Sequence, residues 1–244
     1  MSIEEENLSG KVVLEVGSGR GDTTRHLAAL LSNQPGAQLI VTDISNAFFQ
    51  QLKNELTASN VPIQFICTAA QDLLGIPDNS VDYLVCNYTL CAVNSQSGSL
   101  ALAIQRFRDV LKSGGKLFVE EEFPIDKQET PAEEIWAQKW RILKSAMLLA
   151  GQFPYQEIAP ETLAGLCRQN GFENIQWRAH TENLSGADTL DFFRKRLDRI
   201  LVNLSNLNLK TGFVEVATTL QDRANLVGGM EIPFYQLVAQ KGAV

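Results

Sequence analysis

Residues 12–21 read Val-Val-Leu-Glu-Val-Gly-Ser-Gly-Arg-Gly, and this stretch decides the fold. A short apolar run closes on an acid, Glu15, and breaks into three glycines, Gly17, Gly19 and Gly21. That pattern predicts a buried strand feeding a tight turn without side chains, followed from Asp22 by a helix. Glycine is needed where a chain turns sharply or where a ligand must come close to the backbone. The amides of such a turn, backed by a helix N-terminus, suit polar or anionic groups. The spacing is Glu-x-Gly-x-Gly-x-Gly, which departs from the G-x-G-x-x-G of the dinucleotide fold.

Outward from this turn, Leu39-Ile40-Val41-Thr42-Asp43 is a second apolar run closing on an acid, placed where a second parallel strand would follow one helix. A carboxylate at that point can accept two hydrogen bonds from a ribose diol. Residues 76–85 (Ile-Pro-Asp-Asn-Ser-Val-Asp-Tyr-Leu-Val), 111–117 (Leu-Lys-Ser-Gly-Gly-Lys-Leu) and 170–175 (Asn-Gly-Phe-Glu-Asn-Ile) follow in order. Together these segments resemble class I S-adenosylmethionine-dependent methyltransferases of the small-molecule type, over residues 11–124 and 159–178, with a last strand at 232–240.

Apolar runs at 12–16, 39–42, 63–67, 82–86 and 116–119 are short, rich in Val, Ile and Leu, and not alternating. They read as strands buried on both faces, as a parallel sheet requires. Helical spacing lies between them, as in Phe49, Leu52 and Leu56. The fold class is therefore α/β, a Rossmann-like doubly wound sheet. The resemblance implies seven strands, mostly parallel with the last antiparallel. Residues 1–244 are expected to form one methyltransferase domain. Two segments exceed what that fold needs, about 125–158 and 183–228. The first carries Trp136, Trp140, Leu143 and Met147 at helical spacing; in the second Leu190, Phe193, Leu197, Ile200, Leu204 and Leu207 trace one further stripe. In the family's topology both leave the sheet at its carboxyl edge, where open α/β sheets bind ligands. Since only ten residues precede the first strand, these insertions are expected to supply the helical cap over the acceptor. The 183–228 stripe has a competing use as a homodimer interface.

Composition limits the partners. At 45% apolar and 20% charged residues the chain is ordinary for a globular protein. No apolar run approaches the roughly 18 residues of a membrane span. The N-terminal Met-Ser-Ile-Glu-Glu-Glu lacks the basic and apolar parts of a secretory signal, so a cytoplasmic location is expected. A net charge of −7 opposes nucleic acid as a partner. Cys67, Cys86, Cys91 and Cys167 show no metal-ligand spacing and read as buried, reduced thiols; no metal site is expected.

The resemblance assigns roles residue by residue. S-adenosylmethionine is the implied cofactor and a small molecule the implied acceptor. Gly17, Gly19 and Gly21 would admit its methionine portion, with Glu15 bonding the loop or the ammonium. Asp43 would hold the ribose and Ile44 would lie on adenine. Ala70 and Gln71 would offer amides to the ring, beside Asp72, and Asn87 a carbonyl to the ammonium. Without a ligand, Glu15 could pin the loop and Asp43 cap the next helix. Asn87-Tyr88-Thr89 lacks the two prolines of base-modifying amino-methyltransferases, a second reason to set nucleic acid aside. The catalytic candidates are Tyr88, the carboxylates Glu120 and Glu122, which alternation points to one face, and His180 at the end of strand six. His26 reads as a packing residue. A cofactor-binding scaffold without turnover is the alternative function.

Overall fold

Seven strands form one sheet in the order β3-β2-β1-β4-β5-β7-β6. They are β1 (Val12–Val16), β2 (Gln38–Asp43), β3 (Ile63–Cys67), β4 (Val81–Asn87), β5 (Leu111–Glu122), β6 (Phe172–Leu184) and β7 (Met230–Lys241). The computed structural model describes residues 2–126, 128–186 and 189–243. β1 pairs in parallel with β2 and β4, β2 with β3, and β4 with β5. The sheet is mostly parallel, with antiparallel strands at the end of the chain. Val13, Leu14 and Val16 of β1 are all buried, so successive side chains are covered on both faces.

Helices connect the strands: α1 (Asp22–Leu31), α2 (Phe49–Glu55), α3 (Leu90–Val93), α4 (Ser99–Val110), α5 (Pro131–Leu149), α6 (Pro160–Gln169), α7 (Asp191–Leu201) and α8 (Leu207–Val227). Local sequence explains their limits. Thr130 caps α5 by accepting from the Glu133 amide at 3.0 Å, with Pro131 opening the helix and two acids in its first turn. Asn206 does the same for α8 through the Leu209 amide at 3.2 Å, and Gly228, at φ +91°, ends that helix.

The chain divides into two compact units. One comprises 1–121, 158–178 and 235–244; the other comprises 122–157 and 179–234, and so gathers both insertion segments. The first unit contains a core in which Leu27, Ala28 and Leu31 of α1 pack with Val13, Leu39, Val41 and Phe49. The second has its own core, formed by Trp136, Trp140, Leu143 and Met147 of α5 with Phe193, Leu197 and Ile200 of α7 and Leu220 of α8. Lys139 is buried in this second unit, its ammonium 4.7 Å from the Trp140 ring centroid. Burial lowers its pKa, and the charges of Glu122 and Glu157 act against that.

Four expectations are corrected. The stripe from Leu190 to Leu207 is not one helix: α7 stops at Leu201, Leu204 packs from the connection, and Leu207 opens α8 exposed. Spacing alone could not show the break, because Asn203 to Asn206 interrupts the helix without shifting the apolar period. His180 does not end β6, which runs on to Leu184. Only Cys86 and Cys167 are buried; Cys67 is exposed and Cys91 half-buried. His26 is exposed and meets Glu4 through Nε2 at 2.6 Å, so it makes a polar contact instead of packing.

Candidate functional site

The glycine turn follows β1 and is fixed to β2 by backbone bonds. The amides of Gly17 and Ser18 both donate to the Thr42 carbonyl, at 2.8 and 3.0 Å. Its three glycines serve different ends. A Cβ on Gly17 would stand 2.0 Å from Thr89 Oγ1, and one on Gly21 would stand 2.1 Å from Leu52 Cδ2. Both positions have left-handed φ, +83° and +92°, so chain neighbours and backbone together demand glycine there. Gly19 differs: at φ +50° its Cβ would meet nothing within 4 Å. The close approach that the sequence assigned to all three is open at Gly19 alone among them.

Two acids flank this turn. Glu15 is 1% exposed, and its Oε2 accepts from Thr24 Oγ1 at 2.7 Å. Its Oε1 is buried and has no partner among the described residues, and Ser18 Oγ shares that state. Burial pushes the Glu15 carboxyl up to about 7; the Thr24 bond pulls against this and the charge of Asp43 adds to it. Asp43 Oδ2 accepts from the Gly19 amide and Oδ1 from the Ser45 amide, each at 2.8 Å. Asp43 therefore pins the glycine turn and bends the chain after β2, whereas α2 begins only at Phe49. Ile44 beside it is 72% exposed. After β3 the Ala69 carbonyl accepts from the Asp72 and Leu73 amides, at 3.1 and 2.9 Å, in a turn over Ala70 and Gln71. Ala70 is buried, Gln71 half-buried and Asp72 exposed.

The loop after β4 is the second feature. Tyr88 has φ +52°, a left-handed conformation that a bulky residue adopts only when its surroundings impose it. Here they do. The Tyr88 amide donates to the Glu120 carbonyl at 2.8 Å, and the Thr89 and Leu90 amides donate to Glu121 Oε1 at 2.8 and 2.5 Å. Thr89 Oγ1 donates to the Asn87 carbonyl at 2.9 Å while its side chain fills the space left by Gly17. The Tyr88 hydroxyl donates to Glu120 Oε1. Glu120 Oε2 accepts from Gln236 Nε2 at 2.5 Å, and Gln236 Oε1 accepts from Arg178 Nη2 at 2.8 Å and Nε at 3.1 Å. A cleft of about 80 Å³ beside these groups is lined by Asn87, Glu120, Gln236, Thr23, His26 and Glu4. The short N-terminal segment, expected to leave the cap mainly to the insertions, supplies Ser2, Ile3 and Glu4 to this cleft.

The remaining candidates lie in the second unit. Glu122 Oε2 accepts from the indole nitrogens of both Trp136 and Trp140. His180 stacks on Phe234 at 5.4 Å, and its buried Nδ1 has no partner among the described residues. Sequence reasoning missed Thr24, Thr89, Glu121, Gln236 and Arg178. Glu121 was within reach, since the alternation invoked for its neighbours turns it the other way. Nothing local marks Gln236, whose partner Glu120 is 116 residues away.

Residues 14–119 match the family model described as a methyltransferase domain. Over this stretch the chain is similar to that domain. Thiol S-methyltransferase TMT1B of Homo sapiens is 33% identical over 114 residues, 45% of this chain and 42% of the relative. The ubiquinone/menaquinone biosynthesis C-methyltransferase UbiE of Acidiphilium cryptum strain JF-5 is 28% identical over 191 residues, 72% of this chain and 70% of the relative. The chain thus spans less than half the length of the first of these relatives and about two thirds of the second. Among solved structures, the YcgJ protein of Bacillus subtilis superposes with a TM-score of 0.61 at 17% identity, covering 99% of this chain and 95% of that one. Phosphoethanolamine N-methyltransferase 2 of Haemonchus contortus, bound to phosphomonomethylethanolamine and S-adenosylhomocysteine, gives 0.58 at 18%, covering 98% of this chain and 50% of that one. The [4+2]-cyclase SpnF gives 0.57 at 21%, covering 97% and 76%. These structures show the shared fold.

The family whose model matches residues 14–119 uses S-adenosylmethionine. The turn fits such a group on its own geometry, with a buried, unpartnered carboxylate oxygen on Glu15 and open space at Gly19.

Proposed function

We propose that this chain transfers the methyl group of S-adenosylmethionine to a small organic acceptor. The observation that carries this is the glycine turn within a matched methyltransferase domain, left open at Gly19 beside the unpartnered Glu15 oxygen. When bound, the cofactor supplies a methyl group on a cationic sulfur. Gly17, Gly19 and Gly21 frame its methionine portion. Glu15 and the Asn87 carbonyl hold the ammonium. Asp43 keeps its amide bonds and accepts the ribose hydroxyls as well, since a carboxylate has about four acceptor sites. Ile44, Ala70 and Gln71 border the adenine.

Holding acceptor, methyl and sulfur in line is the main task, and positioning alone can supply about 7–11 kcal/mol. Tyr88 and Glu120 border the acceptor, with Glu122 and His180 as further candidates from the second unit. In this reading the helices of 125–158 and 183–228 exclude water from the acceptor, a homodimer through 183–228 being their competing use. Net charge disfavours nucleic acid. A cytoplasmic setting is supported by four free cysteines. The relatives' names, a thiol S-methyltransferase and a quinone-pathway C-methyltransferase, make thiols and quinols the first acceptors to try.

The second reading, a cofactor-binding scaffold without methyl transfer, rests on the SpnF likeness: one fold hosts different reactions. The test combines calorimetry of S-adenosylhomocysteine binding with detection of that product over a panel of thiols and quinols. Binding with turnover establishes the enzyme, binding without turnover favours the scaffold, and absence of binding defeats both.

A further inference from the structure

Glu120 is held from two sides by side chains of two other segments, one of them oriented by a third. Its Oε1 accepts from the Tyr88 hydroxyl and its Oε2 from Gln236 Nε2 at 2.5 Å. The Gln236 amide is itself oriented, because its oxygen accepts twice from the Arg178 guanidinium, at 2.8 and 3.1 Å. A guanidinium only donates, so the amide oxygen must face Arg178 and the amide nitrogen must face Glu120. The four residues therefore step across neighbouring strands: the end of β4, then β5, β7 and β6. Every link is polar, and Glu120 and Gln236 both line the cleft that Asn87 enters from β4.

Such an arrangement has a chemical use. The Gln236 donor on Glu120 Oε2 fixes the plane of the carboxylate, and Oε1 is then aimed at the Tyr88 hydroxyl. We propose that Gln236 and Arg178 are positioning residues that hold Glu120 as the base for acceptors that must lose a proton, with Tyr88 passing that proton on. This rests on the methyl-transfer reading above. In the step, a lone pair on the acceptor atom forms the new bond to the methyl carbon. The sulfur–methyl bond breaks with its electrons staying on sulfur. The acceptor's proton moves to the Tyr88 oxygen as the Tyr88 proton moves to Glu120 Oε1. Charge balances, since cationic sulfur becomes neutral and the carboxylate becomes a carboxylic acid.

A base held in this way matters to only one of two kinds of acceptor. One that is already an anion needs no base, so its rate should not depend on how Glu120 is held. Thiophenol and 4-nitrophenol are largely ionised at about pH 8, whereas benzyl mercaptan and phenol keep their protons. With the full chain and S-adenosylmethionine, Gln236→Leu and Arg178→Leu should lower kcat for the protonated member of a pair about tenfold. The ionised member should change less than about twofold, and Arg178→Lys should recover part of the loss. Calorimetry with S-adenosylhomocysteine should give parent affinity for every variant.

Equal losses for both members would mean that Gln236 and Arg178 only support the fold, and the proposal falls. Unchanged rates for both would also sink it. If the parent methylates neither pair while binding S-adenosylhomocysteine, the proton-bearing acceptor class is wrong and the cofactor reading stands. Absence of binding would overturn the underlying function instead.

Discussion

Glu15 is one residue whose environment makes two separate demands. Its carboxyl is raised from 4.5 to about 7 by burial, against the Thr24 bond and with help from Asp43. Between those values the folded chain keeps a proton that the unfolded chain has released. Its contribution to stability is therefore complete below about 4.5 and is lost as pH rises through about 7, by up to about 3 kcal/mol. Glu15→Gln keeps a group for Thr24 and removes the charge, so its thermal stability should stay flat between pH 5 and about 8, where the parent declines. Parallel decline in both proteins would show that Glu15 is not the group responsible. A bound ammonium favours the carboxylate, so S-adenosylhomocysteine should bind the parent more tightly above pH 7 than below it. The glycines give a second contrast. Gly19→Ala meets open space and should cost only about 1 kcal/mol for its backbone conformation, yet abolish the rise in melting temperature on adding S-adenosylhomocysteine. Gly17→Ala collides with Thr89 and should destabilise the free protein by a further 1–3 kcal/mol or so. Equal melting temperatures for the two variants would mean that the turn adapts as a whole.

Among the elements, the loop between β4 and α3 depends on a residue the sequence hides. Glu121 is 2% exposed, and its Oε1 takes the Thr89 and Leu90 amides at 2.8 and 2.5 Å. Glu121→Ala leaves two amides without that acceptor and should cost about 2–4 kcal/mol in chemical denaturation. Glu121→Gln retains a side-chain oxygen and should recover more than half. A loss below about 0.5 kcal/mol for the alanine variant would show that water replaces the carboxylate. The case also marks what can be read from sequence. The strand ending at Glu15, the glycine spacing and the Trp136–Met147 stripe are local patterns, and the structure places each in β1, its turn and a buried α5. Thr89 and Gln236 act through partners 72 and 116 residues away, which no window of sequence contains. The stripe from Leu190 to Leu207 failed for a related reason: period survives a short break between helices, so it shows a shared apolar face but not a continuous helix.

At the scale of the whole molecule, the second unit exposes an apolar surface. Leu148, Leu149 and Phe153 of the first insertion and Val202, Leu207, Val214, Val216 and Leu226 of the second are all at least half exposed. Isolated exposed apolar side chains are ordinary, but a helix pair with a groove between Ile142, Leu149, Leu209, Phe213 and Val216 is a larger surface. If the insertions serve as a cap, amide exchange in 131–149 and 191–227 should be faster than in β1, β2 and β4 of the free protein, because lids belong to the less stable parts of a fold. S-adenosylhomocysteine should first slow exchange at 15–24, 43–45 and 87–90, the segments of the glycine turn and the β4 loop. Adding an acceptor should then slow both helical segments together, at any protein concentration. A homodimer through 183–228 makes a different demand: protection there should fall on dilution and ignore both ligands, as mass action requires. Dilution at saturating S-adenosylhomocysteine therefore decides between the two uses. Protection of 191–227 that follows protein concentration alone would remove that segment from the cap and leave 131–149 to exclude water from the acceptor.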